Sequence, residues 1–282
     1  MLELSNVNKK FYEGFKIKDL SFKLEPGYIM GFIGPNGSGK STTIKMIMNL
    51  LKLDSGYIKI FGKDHVKDEV EIKDRIGFVY DQSYFYENLS IEEMKNIIAP
   101  FYSQWNENTF KGYLDLFKLR SDIAIKHLSK GMKTQFAIAL ALSHNADLII
   151  MDEPTAGLDP VIRREVLDLL YNVIQDENKS IFFSTHITTD LEKIADFITY
   201  IKDGKLIFTK SREDLMESYA LVKGGPDQLS DLVKKNLMGL RQTNVGFEAL
   251  TDKPKEIRNI LGADIIIERP TLEDIMYYTR GE

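Results

Sequence analysis

The chain of 282 residues contains no cysteine. That excludes disulfides, thiolate metal sites and cysteine nucleophiles, and it is consistent with a reducing, cytoplasmic setting. Long apolar runs are missing as well. A membrane-spanning helix needs about 18 or more apolar residues in succession, and the longest run here, residues 136–143 (FAIALALS), is far shorter. The first residues, MLELSNVNKKFY, lack the basic-then-apolar order of a signal segment. Any membrane role is therefore expected to be peripheral. Excess positive charge is also absent: the net charge is −5, which disfavours a general nucleic-acid binder. There is no internal repeat and no low-complexity tract. Apolar content of 43% and charged content of 28% are those of an ordinary soluble globular protein. The length allows a sizeable core, with one main domain and something smaller beside it.

What is present centres on Gly34, Pro35, Asn36, Gly37, Ser38, Gly39, Lys40 and Ser41. They fit the spacing of a phosphate-binding loop, Gly, four residues, Gly, Lys, Ser. The glycines let the backbone turn tightly and aim its N–H groups at one concave point. An apolar run at 28–33 predicts a buried strand before the loop, and residues 42–51, starting at Thr42, predict a helix behind it. The positive end of that helix then faces the same point as the loop amides, which suits a polyphosphate. Lys40 is expected on the β- and γ-phosphates, with the Ser41 hydroxyl offered to Mg²⁺.

Further along, residues 147–151 form an apolar strand that ends in Asp152 and Glu153. In a parallel sheet, ligands gather at the carboxyl ends of strands. Asp152 is thus the candidate Mg²⁺ ligand and Glu153 the group that positions or deprotonates a water. Residues 180–185 predict another buried strand, ending at His186, which falls at the same sheet edge. A lone histidine there is either a satisfied loop residue or a γ-phosphate contact. A third strand, 75–80, is followed by Asp81 and Gln82, placed to reach a metal or a water, or simply a polar loop pair. The aromatics Phe11 and Tyr12 sit in a polar turn, where they either stack on an adenine ring or pack the loop.

Between these strands, residues 90–120 read as helical, opened by a capping box of Ser90 and Glu93 and broken only at Pro100 and Gly112. Its aromatics, with Tyr84, Phe85 and Tyr86 before it, either pack a small helical layer or dock a partner. Ser129 caps the apolar helix that follows, whose amino end is a second anion site. Beyond residue 215 the pattern changes to strand, helix, strand, strand, helix, strand, helix. It reads as a small α+β appendage without evident chemistry.

Taken together, these pieces resemble the nucleotide-binding subunit of ABC transporters over about residues 1–215. Gly34 to Ser41 correspond to Walker A and Leu148 to Asp152 to Walker B. Leu128, Ser129, Lys130, Gly131 and Met132 resemble the signature loop that separates this family from other P-loop ATPases. Gly157, Leu158 and Asp159 resemble the D-loop, and His186 the switch histidine. The resemblance implies an α/β fold: a P-loop NTPase core with an antiparallel β lobe and a helical lobe at about 84–129. The division it suggests is 1–215 for the nucleotide-binding domain and 216–282 for the small α+β appendage.

It further implies that two subunits, alike or different, pair head to tail around ATP and Mg²⁺. Ser129 and Gly131 of one would then contact the γ-phosphate held by the other. Phe11 takes the adenine-stacking place, Glu153 resembles the catalytic base, and His186 orients water and γ-phosphate. Two departures stand out. Lys130 and Met132 replace the commoner Gly and Gln, as in exporters whose ATPase and membrane subunits are separate chains. At the Q-loop, Asp81 takes the glutamine's place, as a candidate metal ligand through water, with Gln82 one residue late. The expected activity is ATP hydrolysis driving export through a separate transmembrane permease. The expected location is cytoplasmic, peripheral on the inner face of the cell membrane. A soluble ABC ATPase acting on ribosomes or DNA, and an importer subunit, are the alternatives.

Overall fold

The computed structural model describes residues 1–11, 14–81, 84–262 and 265–279. Gln82 and Tyr12 lie outside the described residues. The chain divides into two compact units, one of residues 1–187 and 194–209, the other of 188–193 and 210–282.

In the first unit the chain runs β1 (Leu2–Lys10), β2 (Lys16–Leu24), β3 (Ile29–Ile33), α1 (Lys40–Ile47), β4 (Ser55–Ile60), β5 (Lys63–Asp64), α2 (Glu69–Asp74) and β6 (Ile76–Val79). It continues with α3 (Ile91–Ile98), α4 (Glu107–Leu116), α5 (Lys130–Leu142), β7 (Leu148–Asp152), α6 (Pro160–Val173) and β8 (Ser180–Thr185). After α7 (Thr188–Ile194) come β9 (Phe197–Lys202) and β10 (Lys205–Ser211).

Among the described residues two sheets build this unit. The larger has the order β10-β9-β3-β8-β7-β6, and β9, β3, β8, β7 and β6 are mutually parallel. Every residue of β3, β7 and β8 is buried, which is why these strands read as unbroken apolar runs instead of alternating ones. Helix α5 presses closely on β6. A Cβ on Gly77 would stand 2.4 Å from the Ala141 carbonyl oxygen, so the crossing requires glycine.

The smaller sheet, β2-β1-β4-β5, is antiparallel. Its inward residues, among them Leu4, Leu20, Phe22 and Ile58, join the same core as β3 and β8. The Phe22 ring lies parallel to that of Phe182 with centroids 5.7 Å apart, and Phe32 packs against both. This is an α/β fold with an antiparallel lobe, as the sequence predicts.

The helical segment departs from expectation in one respect. Pro100 sits in a single 3₁₀ turn and Gly112 lies inside α4, while the chain breaks at 102–106. The reason is local. The Asn106 side chain accepts a bond from Thr109 N at 2.9 Å and starts a new helix. Asn106 N is meanwhile tied to the Ser143 carbonyl at 2.7 Å. Gly112 merely lowers helix propensity by about 1 kcal/mol, which does not end a helix.

The second unit contains α7, then α8 (Arg212–Ser218), β11 (Ala220–Gly224), α9 (Asp231–Lys234), β12 (Met238–Thr243), β13 (Gly246–Thr251), α10 (Pro254–Leu261), β14 (Ile266–Glu268) and α11 (Leu272–Tyr278). From β11 to β14 the element order and the strand order β12-β13-β11-β14 are those of a split β-α-β sheet. Val222, Val233, Phe247, Ile257 and Ile265 form its core. Opposite that core the Tyr278 hydroxyl donates to Glu248.

Candidate functional site

The loop of residues 34–39 joins β3 to α1. Gly37 and Gly39 have φ of +79° and +110°, where only glycine is unstrained. Gly39 is constrained twice, because a Cβ there would also lie 2.4 Å from Ile17 Cδ1. It stands at the N-cap of α1, where no side chain caps the helix, so the first N–H groups of α1 are left to the loop and whatever it holds. Ser41 is exposed and Thr42 half-buried in that first turn. Ser38 is buried, and its hydroxyl has no partner among the described residues.

Lys40 points back into the loop. Only 6% exposed, it donates to the Gly34 carbonyl at 2.8 Å and lies 3.7 Å from Glu153 Oε1. Burial pushes its pKa below the ordinary lysine value, and the charges of Glu153 and Asp152 oppose that shift. The three strands β3, β8 and β7 are neighbours, with Ile33 beside Thr185 and Ser184 beside Asp152. Their carboxyl ends therefore bring the phosphate loop, the two acids and His186 to one edge.

Glu153 adopts φ +51° immediately after β7. Its Oε2 accepts from His186 N at 3.2 Å and lies 2.7 Å from His186 Nδ1. With Nδ1–H donating to that carboxylate, the tautomer is set and Nε2 is left outside the pair. Asp152 is 1% exposed. Its Oδ1 accepts from Ser184 Oγ at 2.5 Å, while Oδ2 has no partner among the described residues. A buried polar atom without a partner costs about 1–3 kcal/mol. An ATP-bound Mg²⁺ would relieve Asp152, and phosphate oxygens would relieve Ser38 and Lys40. No group of three or more acids and histidines forms a metal cage among the described residues. Mg²⁺ is commonly held by one or two protein oxygens with substrate phosphates and water, and the partnerless Asp152 Oδ2 is one such oxygen. The residues present fit the nucleotide and its metal.

Other expected site residues fall nearby or elsewhere. Asp81 is exposed just beyond β6, next to β7 in the sheet. Phe11 is half-buried, and its ring stands 6.0 Å from that of Phe15, whose Cζ would lie 3.2 Å from a Cβ on Gly39. Phe15 and Ser184 were not marked by the sequence reading. For Phe15 the available signal was its spacing of four from Phe11 within one turn. Ser184, as one of several polar residues at a strand end, offered none.

Ser129, Gly131 and Asp159 gather around the starts of α5 and α6. Ser129 Oγ accepts from Met132 N at 3.2 Å and caps α5. Asp159 caps α6 through Val161 N and Ile162 N at 3.0 and 3.1 Å, a structural task beside any contact with nucleotide. A Cβ on Gly131 would meet Ile162 Cδ1 at 3.4 Å, so the two helix starts pack together.

A further feature lies beside β6. An apolar groove of about 490 Å³ is lined by Phe78, Tyr80, Tyr84, Phe85 and Ile98, with Lys45 at its margin. Tyr84 is 76% exposed, and its ring stacks on Tyr80 at 5.8 Å.

Residues 17–156 match the protein family described as ABC transporter. The chain is 34% identical over 209 residues to the bacitracin transport ATP-binding protein BcrA of Bacillus licheniformis, covering 73% of this chain and 68% of that protein. It is 31% identical over 220 residues to the linearmycin resistance ATP-binding protein LnrL of Bacillus subtilis, covering 76% and 70%. Among solved structures it is similar to an ATP-binding subunit of an ABC transporter, with a TM-score of 0.71 and 27% identity over 77% of this chain and 92% of that one. It also resembles the dimeric post-hydrolysis state of the ATP-binding cassette MJ0796 bound to ADP and Pi. There the TM-score is 0.67 and the identity 25%, over 75% of this chain and 98% of that one.

Proposed function

The chain belongs to the ABC transporter ATP-binding family, and from that premise we propose that it is the motor subunit of an exporter whose membrane-spanning permease is a separate chain. The bacitracin-transport and linearmycin-resistance names of two of its relatives support export as the direction. No helix among the described residues is long and apolar enough to cross a membrane. The apolar groove beside β6 is a suitable dock for a cytoplasmic segment of the permease, and attachment there would hold the chain at the inner face of the membrane. An acidic balance speaks against a role on nucleic acid.

In this reading two copies, or this chain and a similar one, close around ATP. Lys40 exchanges the Gly34 carbonyl for phosphate oxygens, which adds charged acceptors to a buried ammonium that already lies 3.7 Å from Glu153 Oε1. Phe11 offers its ring to the adenine. Mg²⁺, when bound with ATP, neutralises charge on the β- and γ-phosphate oxygens. Asp152 is the side chain to hold it, with Ser41 and Asp81 as further oxygen donors. Glu153 accepts the proton of the attacking water, and His186 keeps that carboxylate aimed through Nδ1. Ser129 and Gly131 of the partner copy complete the γ-phosphate site, with Asp159 at the joint. Closure moves the permease and hydrolysis releases it.

The observation that carries this reading is the Glu153 carboxylate held between Lys40 and His186 at the strand ends. Glu153→Gln keeps the shape and removes the base. ATP turnover should fall by about 10²- to 10⁴-fold with nucleotide binding retained, as read by phosphate release and by equilibrium binding. Purified from membranes in Mg-ATP, this variant should bring a multi-spanning membrane protein with it. Ribosomal proteins or DNA-repair factors in its place would overturn the transport reading in favour of a soluble ATPase.

A further inference from the structure

The turn bearing Ser129 and Gly131 is fastened to the loop that lines the apolar groove. Glu87 lies three residues after Tyr84, between β6 and α3. Its carboxylate accepts a bond at 3.0 Å from Lys133 Nζ in the first turn of α5. The Glu87 carbonyl accepts from Lys126 N at 2.8 Å, and the Leu89 carbonyl from Ile125 N at 2.9 Å. The Phe85 ring stands 4.8 Å from that of Phe136. One short loop thus presents Tyr84 and Phe85 to the groove and grips the chain on both sides of Ser129. The backbone bonds hold residues 125 and 126, before the turn. The ion pair holds its other side, at Lys133.

We propose that Glu87 and Lys133 are a positioning pair that couples the groove to the turn of residues 129–132. Filling the groove shifts Ser129 and Gly131, and ATP-driven closure shifts Tyr84 and Phe85 in return. This inference rests on the docking role given to the groove above. Linkage makes the coupling reciprocal: whatever free energy a groove occupant exerts on closure, closure exerts on the groove. The effect can therefore be read with no permease present. The pair is also well suited to a clean test. The Lys133 and Glu87 side chains are 24% and 66% exposed, and such surface pairs add little to folding stability.

The absence of cysteine allows one reporter to be placed without background. Tyr84→Cys in the Glu153→Gln chain is labelled with bimane, a dye quenched by nearby tyrosine, and Tyr80 is its neighbour. Mg-ATP should change the fluorescence as the dimer closes. Glu87→Lys or Lys133→Glu alone should cut that change by about half or more, with an unchanged thermal midpoint. The charge exchange Glu87→Lys with Lys133→Glu should restore it, and Lys133→Arg should keep it.

A full signal in the single reversals, or no recovery on exchange, would overturn the coupling. A fall in thermal midpoint parallel to the lost signal would mark the pair as structural and overturn it equally. Size-exclusion chromatography separates the remaining case. If Mg-ATP gives no dimer, the closing-motor reading fails first and takes this inference with it.

Discussion

Ser184 shows how much of the site depends on residues far apart in the sequence. Its hydroxyl bonds Asp152 Oδ1 across 32 positions and leaves Oδ2 buried without a partner among the described residues. Replacing it with alanine strips a buried carboxylate of its donor, at about 1–3 kcal/mol. Ser184→Ala should then lower the unfolding midpoint and raise the Mg²⁺ concentration needed for half-maximal ATPase. A Mg²⁺ titration identical to that of the parent chain would remove Ser184 from the metal's surroundings. The glycines, Lys40, Asp152 and Glu153 could be picked out beforehand as neighbours of strand ends, because each announces itself within a few residues. His186 read equally as a satisfied loop residue until the family resemblance was added. A glycine spacing or an acid ending an apolar run is a local pattern. The Ser184 bond and the proximity of Phe15 to Gly39 exist only after distant strands have paired. So does the engagement of Lys40 with Glu153, and no local pattern encodes it.

Elements are placed by contacts that the sequence marks only in part. The parallel strands were readable from their unbroken apolar runs, but the break at 102–106 was not. It depends on Asn106 capping a helix while bonded to Ser143 of another. Gly112, left inside α4 with nothing within 4 Å of a would-be Cβ, is a site for improvement. Gly112→Ala should stabilise the chain by about 0.4–1 kcal/mol, visible as a higher denaturant midpoint.

The junction of α5 with β6 carries a different sensitivity. Just past α5, His144 has Nε2 3.0 Å from the Ile76 carbonyl and Nδ1 3.2 Å from that of Leu140. Its ring stacks on Tyr102 at 3.7 Å. Burial pushes its pKa below the ordinary histidine value, against the pull of these carbonyls and of Asp74, with Lys179 adding to the depression. His65, bonded to the Ile58 carbonyl, is pushed down by burial in the same way. The unfolded chain therefore binds more protons than the folded one just below the ordinary value of 6.5. Stability is whole above that value and is lost as pH falls from it toward the depressed folded values. Urea midpoints should drop as pH falls from about 6.5 to 5.5, a range above most carboxylate titration. A flat profile would contradict this account of the two imidazoles.

For the whole molecule, the second unit is more deeply involved than its position at the end of the sequence suggests. Residues 188–193 belong to it. Within it, Glu192 receives bonds from Arg212 Nη1 at 2.6 Å and Leu272 N at 2.7 Å. The element order after residue 215 was readable from its alternating pattern. The recruitment of α7 was not, since an amphipathic helix carries no sign of which partner it will choose. A protease site introduced after Lys210 should yield two fragments that co-elute under native conditions and part in urea. Separation without denaturant would show that α7 has no firm hold on the rest of its unit.

The chain passes between the two units at 187/188, 193/194 and 209/210. An appendage hung on one linker can be acquired, exchanged or shed by a single recombination at its edge. One that has drawn an internal helix into itself is sewn in, and replacing it means rewriting the segment directly after His186 as well. The sequence that follows His186 is therefore answerable to two folds at once, so this ATPase and its C-terminal unit are expected to be inherited as a pair.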